Sequence, residues 1–288
     1  MWSLVVVLMS ATCSTAPGAA PNSTTSPTIE AATSSTTITT TTTTLPATIE
    51  SPTTVTLPDL DVDVLVPEGS GPFPAIVLVH GGGWVAGSPR LMRDLARYLT
   101  EQGYLTVNTA YTLANGIAGF PLAVDDVACA VRFAAAHPDG DRTVAVIGHS
   151  AGAHLSALVA LDEGVYGTEC PLQVPVTPDR LIGLAGPYDV ARLGPLMLPF
   201  IGVGPTEDPE SWLAGNPLSH VDASAGLSSL LLHGEEDALV DLSFATSFAD
   251  ALTEAGSEAL VEVVEGARHN DMHNPDLVGE LIITWLER

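Results

Sequence analysis

The chain has 288 residues, 46% of them hydrophobic, enough for one sizeable core once a Thr-rich leading section is set apart. Its 34 acidic against 9 basic residues leave a formal charge of −25, which opposes broad contact with nucleic acid or anionic lipid headgroups, since both need clustered cations. Every Lys/Arg position is Arg, and the absence of Lys removes Schiff-base chemistry, a pyridoxal-linked lysine and a Walker P-loop.

Residues 2–9 form a short apolar run followed by small residues and Cys13, the length of a signal-peptide core and too short to span a bilayer. Residues 1–20 are therefore expected to be a secretory or lipoprotein signal, although no Lys or Arg precedes the run and Ser10-Ala-Thr-Cys13 lacks the Leu usual in a lipoprotein cleavage box. Cys13 is either a lipid tether to a membrane or is cut away with the signal. Residues 21–54 are mostly Ser, Thr, Pro and Ala, with unbroken Thr from 39 to 44, and hold too few large apolar groups to offset chain entropy. They predict a disordered stalk, with a formal glycosylation sequon at Asn22-Ser23-Thr24.

From residue 55 short apolar runs alternate with amphipathic stretches, the βαβ pattern of a mostly parallel sheet with helices on both faces. Strands are predicted at 61–66, 75–80, 105–110, 144–148, 181–185, 229–233 and 260–264, and helices at 89–102, 121–136, 150–161, 242–255 and 275–286. The expected architecture is a single α/β domain over 55–288. Between 188 and 227 the periodicity fails and five prolines interrupt short apolar pieces, which predicts a small cap-like insertion. Its Phe200 and Trp212 are candidate pocket walls, with helical packing as the alternative. Cys129 and Cys170 remain an even pair in an exported domain, so a disulfide is expected, two separate buried thiols being the alternative.

Two segments carry chemistry. Thr143-Val-Ala-Val-Ile-Gly-His-Ser150-Ala-Gly reads as a buried strand, a tight turn and a helix, the form of a nucleophile elbow. Gly148 and Gly152 let strand and helix approach without a Cβ, and a serine at a helix N-terminus sits where backbone N–H groups, Ala151 first, face an oxyanion. His80-Gly-Gly-Gly-Trp84 follows the apolar strand at 75–79 and delivers glycine-rich backbone to the same sheet edge. Gly82 and Gly83 are the expected further donors, with His80 holding the loop and Trp84 bordering the site.

These residues resemble the α/β-hydrolase superfamily, in its hormone-sensitive-lipase-like and carboxylesterase branch, over residues 61–288. The resemblance implies the chain order Ser, acid, His. Leu230-Leu-Leu-His233-Gly-Glu-Glu-Asp237-Ala-Leu-Val240 is similar to the family's acid turn and marks Asp237, with Glu235, Glu236 and Asp241 read as solvated turn charges. Gly266-Ala-Arg-His269 is similar to the family's base loop and marks His269, with His273 as the rival. His149, His154 and His233 are read as ordinary flanking positions and Asp126 as structural, while Tyr111-Thr112 departs from the Tyr-Arg common in the family. The implied activity is hydrolysis of a small-molecule carboxylic ester, needing no cofactor and no metal; the modest 188–227 insertion and the acidic chain favour short or small acyl groups. An amide hydrolase of the same fold, or a non-catalytic surface binding module, are the alternatives.

Overall fold

A computed structural model describes residues 53–57, 60–162 and 164–288, so the signal expected at 1–20 and the stalk as far as residue 52 lie outside the described residues. In chain order the elements are β1 (Thr53–Leu57), β2 (Leu60–Leu65), β3 (Phe73–Val79), α1 (Arg93–Glu101), β4 (Leu105–Thr109), α2 (Leu122–Ala136), β5 (Gly140–His149) and α3 (Ala151–Ala160). There follow β6 (Arg180–Leu184), α4 (Val190–Leu193), α5 (Leu198–Ile201), α6 (Pro209–Ala214), β7 (Ser228–Gly234), α7 (Ser243–Glu254), β8 (Glu258–Val264) and α8 (Pro275–Leu286). All seven predicted strands and all five predicted helices are present. The sheet, however, starts at Thr53, two residues inside the stretch read as stalk, because β1 pairs antiparallel with β2 and completes its hydrogen bonding. The alternation in β1 is limited to Val55 and Leu57 at the end of a Thr-rich stretch, too little to mark a strand without the partner.

The eight strands lie in the order β1-β2-β4-β3-β5-β6-β7-β8, with β3 to β8 mutually parallel and β2 antiparallel to both of its neighbours, β1 and β4. Side chains on a strand alternate between faces, so each buried strand serves two cores. In β3, Ile76 and Leu78 join Ile147, Ile182, Leu230 and Leu232 against Leu95 and Leu99 of α1 and Val278, Ile282 and Trp285 of α8. Val77 and Val79 face the other way, with Val107 and Val146, onto α2, α3 and Phe248 and Leu252 of α7. In α1 the buried positions Leu95, Ala96, Leu99 and Thr100 make one stripe, as a helix covering a single sheet face requires.

The order reverses at β3. Its successor β4 lies on one side and β5 on the other, so the loops leaving β3 and β5 diverge and open a crevice at the carboxyl edge, where open α/β sheets place their sites. The 188–227 excursion is a set of short helices rather than loop. Asp189 caps α4 by accepting from Ala191 N, and Asp208 caps α6 by accepting from Ser211 N. Among the described residues no helix is long and apolar enough to cross a membrane.

Cys129 on α2 and Cys170 are disulfide-bonded, with Cα atoms 5.5 Å apart. The same segment is held by Asp125, which accepts from Gly167 N at 2.7 Å, and by Arg132, which donates to the carbonyls of Tyr166 and Gly167. The bridge closes a loop spanning 41 residues, for which chain entropy gives a stabilisation of about 3–4 kcal/mol. Replacing both cysteines by Ala is expected to lower stability by roughly this amount in urea unfolding, and reducing agent should then have no further effect. An unchanged midpoint would show that the loop is pinned by Asp125 and Arg132 alone.

Candidate active site

Ser150 directly follows β5 with φ 54° and ψ −119°, a conformation a residue with a Cβ rarely adopts and one that costs on the order of 1–3 kcal/mol. Its neighbours hold it there. The Ser150 N–H donates to the Leu184 carbonyl at 2.8 Å, and its own carbonyl accepts from the N–H groups of Ala153 and His154 at 2.9 and 3.2 Å. The two glycines are obligatory by contact: a Cβ on Gly148 would lie 2.2 Å from the Gly152 carbonyl oxygen, and one on Gly152 would lie 2.2 Å from that of Val79. The second contact also fixes how close α3 comes to the end of β3.

Although Ser150 occupies the N-cap position of α3, its hydroxyl does not cap that helix. It faces His269 instead, with Oγ 2.9 Å from Nε2. Nδ1 of the same ring donates to Asp237 Oδ2 at 2.8 Å, joining the ends of β5, β7 and β8. The Asp237 side chain is 1% exposed. Burial pushes its pKa upward, but N–H groups from Val240, His269 and Leu239 outweigh burial and hold the carboxyl below its ordinary value. His233 stands on its other side, 3.4 Å from Oδ2, while donating to the Val240 carbonyl at 2.8 Å. A buried carboxylate beside an imidazole that touches a hydroxyl lets the ring take the hydroxyl proton while its positive charge stays balanced.

The loop after β3 lies against this array. A Cβ on Gly81 would fall 3.1 Å from Ser150 Cβ, so the glycine is what allows the approach. Gly82 has φ 130°, and a Cβ there would meet the Ala86 carbonyl oxygen at 2.0 Å; Gly83 follows with φ 59°. His80 Nδ1 donates to the Gly81 carbonyl at 2.7 Å, and its ring stacks on Tyr111 with centroids 4.3 Å apart. Among the described residues the N–H groups of Gly82, Gly83 and Ala151 donate to no protein acceptor. Unengaged N–H groups beside a helix N-terminus are an electrostatically favourable setting for a negatively charged oxygen.

Ser150, His269 and Asp237, expected on three separate segments, thus meet through two hydrogen bonds, and Gly81 abuts Ser150; the residues expected to wall a pocket divide. Trp84 is buried with φ 62° and donates through Nε1 to His154 Nδ1 at 3.3 Å. Phe200 is fully buried, in ring contact with Trp84, Phe120 and His154. Trp212 is tied instead to the Val203 carbonyl at 2.8 Å and borders a cleft of about 390 Å³ whose lining includes none of Ser150, Asp237 and His269. His273 contacts the ring of His149 and Asp271 accepts from Arg268, so the rival base is not the imidazole hydrogen-bonded to Ser150. Asp126 accepts from the Thr112 N–H at 2.6 Å, which holds the chain after β4 where the family's Tyr-Arg is missing.

Three histidines read as bland do more. His149 donates to the His269 carbonyl, His154 connects Trp84 to the Gly215 carbonyl at 2.8 Å, and His233 flanks Asp237. Their signal was positional, since they stand one before Ser150, four after it and four before Asp237.

A mostly parallel sheet with a serine elbow at its switch, and an acid and a histidine on later strand ends, defines an α/β-hydrolase of the hormone-sensitive-lipase-like carboxylesterase branch. The chain belongs to the BD-FAE family, whose model matches residues 62–252. Esterase LipC of Mycobacterium tuberculosis is 33% identical over 217 residues, which are 69% of this chain and 53% of that protein. The probable carboxylic ester hydrolase LipM of the same organism is 29% identical over 71% of this chain and 49% of its own length. The chain thus spans about half the length of these curated relatives. Among solved structures, apo Thermogutta terrifontis esterase 2 superposes with a TM-score of 0.68 at 22% identity, covering 84% of this chain and 94% of that one. A truncated carbohydrate esterase from gut microbiota gives 0.70 at 20%, covering 79% and 90%. At these identities the two structures establish the fold.

Burial holds the pKa of His149 down to about 3 and that of His154 to about 4, so both rings are neutral in the folded chain. In the unfolded chain they protonate near pH 6.5, hence their contribution is complete above that pH and is lost as pH falls toward the folded values. His154→Gln keeps an amide donor for Gly215 and should flatten the loss of stability between pH 6 and pH 5 by about 1 kcal/mol per pH unit. Urea unfolding at those two pH values measures it, and parallel behaviour of variant and wild type would refute the neutral assignment.

Proposed function

We propose that the protein is an exported serine hydrolase of carboxylic esters with short or small acyl groups, working through an acyl-enzyme on Ser150. The observation that carries this reading is the continuous chain Asp237–His269–Ser150 beside the unengaged N–H groups of Gly82, Gly83 and Ala151. His269 takes the Ser150 proton at Nε2 as Oγ attacks the ester carbonyl. The carbonyl oxygen becomes negative and is received by those three donors, while Asp237 orients the ring and balances its charge. His269 then protonates the departing alcohol and next activates the water that releases the acid.

The short helices α4 to α6 are too small for a large lid, and a charge of −25 suits neutral rather than anionic substrates. Trp84, with Phe200 packed against it, supports an aromatic wall close to the reacting atoms. Export is supported by the apolar run at 2–9, the Thr-rich stretch behind it and the Cys129–Cys170 pair; Cys13 is the atom through which a lipid would hold the domain at a membrane.

Ser150→Ala should remove hydrolysis of p-nitrophenyl acetate and labelling by a fluorophosphonate, lowering kcat/KM by about 10⁴-fold or more with the fold intact by circular dichroism. Acetate and butyrate esters should be preferred to octanoate and laurate. Full labelling of the Ala variant would refute the nucleophile, and a preference for laurate the acyl class.

A further inference from the structure

His149 directly precedes Ser150 but takes no part in the proton transfers above. Its imidazole is 4% exposed, and a polar ring withdrawn from water is costly unless its atoms are used. Nε2 donates to the main-chain carbonyl of His269 at 2.9 Å, a contact across 120 positions of sequence that ties the end of β5 to the loop after β8. Nδ1 is buried with no hydrogen-bond partner among the described residues, and it faces the backbone of the loop after β3: a Cβ on Gly81 would lie 2.7 Å from it. The rings of His269 and His273 stand 5.0 and 5.1 Å away. One ring therefore fills the space between the segment that carries the base and the segment that carries two of the three N–H donors.

We propose that His149 is a positioning residue that sets the placement of the His269 imidazole over Ser150 and the seat of the Gly81–Gly83 loop together, so that proton transfer and oxyanion stabilisation share one spacer. The inference rests on Ser150 and His269 acting as nucleophile and base. The bond is to the backbone of His269, so it fixes the height of the peptide from which the ring hangs and leaves both ring nitrogens for Asp237 and Ser150. A misplacement of about 1 Å at such a site costs on the order of a hundredfold in rate. The donor must also be uncharged, because a fixed cation here would oppose the positive charge that His269 acquires; burial, which holds the ring neutral, meets this condition. Gly81 is the matching requirement on the other side, since any side chain there would collide with the spacer.

His149→Phe keeps a ring and its burial but removes the N–H, whereas His149→Gln restores a donor near the position of Nε2. In the full chain, the Phe variant should lose about a hundredfold in kcat on p-nitrophenyl acetate with KM changed by less than about twofold, and Gln should recover most of the loss. The low-field proton resonance of His269 Nδ1–H should broaden in the Phe variant and sharpen again in Gln. A folded Phe variant with wild-type kcat, or a Gln variant as slow as Phe, would overturn the proposal; His149→Met replaces Phe if that variant does not fold. The resonance needs no substrate, so a wild-type protein without esterase activity would refute the proposed function, and a resonance unaltered in the Phe variant would refute this inference.

Discussion

The backbone of Ser150 is the constraint around which the other parts are arranged. Held at a positive φ by the bond from its N–H to Leu184 and by the abutting glycines Gly148 and Gly152, it turns its hydroxyl away from its own helix. A serine at an N-cap ordinarily accepts from the second or third N–H of that helix. Here the hydroxyl meets His269 instead, so the strained turn and the release of the hydroxyl from its own helix go together. The cost is offset by packing, for every residue of α3 is buried between the sheet and its neighbours.

Electrostatically the site combines one buried carboxylate with nearby histidines that burial keeps from taking up charge. In a chain as acidic as this one, a carboxylate such as Asp237 stays ionised when withdrawn from water only because backbone N–H groups of Leu239 and Val240, and His269 itself, take up its lone pairs. His80, His149 and His154 are pushed the opposite way, each kept below the ordinary imidazole range chiefly by burial. His149 and His154 serve as uncharged hydrogen-bonding struts between distant segments, without adding a cation that would compete with His269 for Asp237.

The struts matter because the segments they join are irregular. The residues from 166 to 170 are fastened by the disulfide, by Asp125 and by Arg132, and Tyr166 donates from there to the Ala214 carbonyl at the end of α6. His154 reaches the adjacent Gly215 from α3, and Phe200 of α5 packs on Trp84. The insertion is thus tied to the helix that follows Ser150 and to the loop after β3.

Periodicity and turn chemistry placed the seven strands and five helices of the main layers, because strands buried on both faces and one-sided helices leave regular apolar patterns in sequence. The elbow at Ser150 and the glycine loop at His80 were legible for a related reason: their backbones need glycine at particular positions, and glycine is visible. Asp237 and His269 needed more, since neither spacing nor composition distinguishes them from Glu236 or His273, and a family resemblance supplied the choice. Tertiary structure alone decided β1, which is made a strand by pairing with β2, and the departure of Trp212 from the site. It alone also turned His149, His154 and His233 into struts. A hydrogen bond across 61 or 120 residues has no signature in local sequence, because it depends on where the sheet sets distant loops down beside one another.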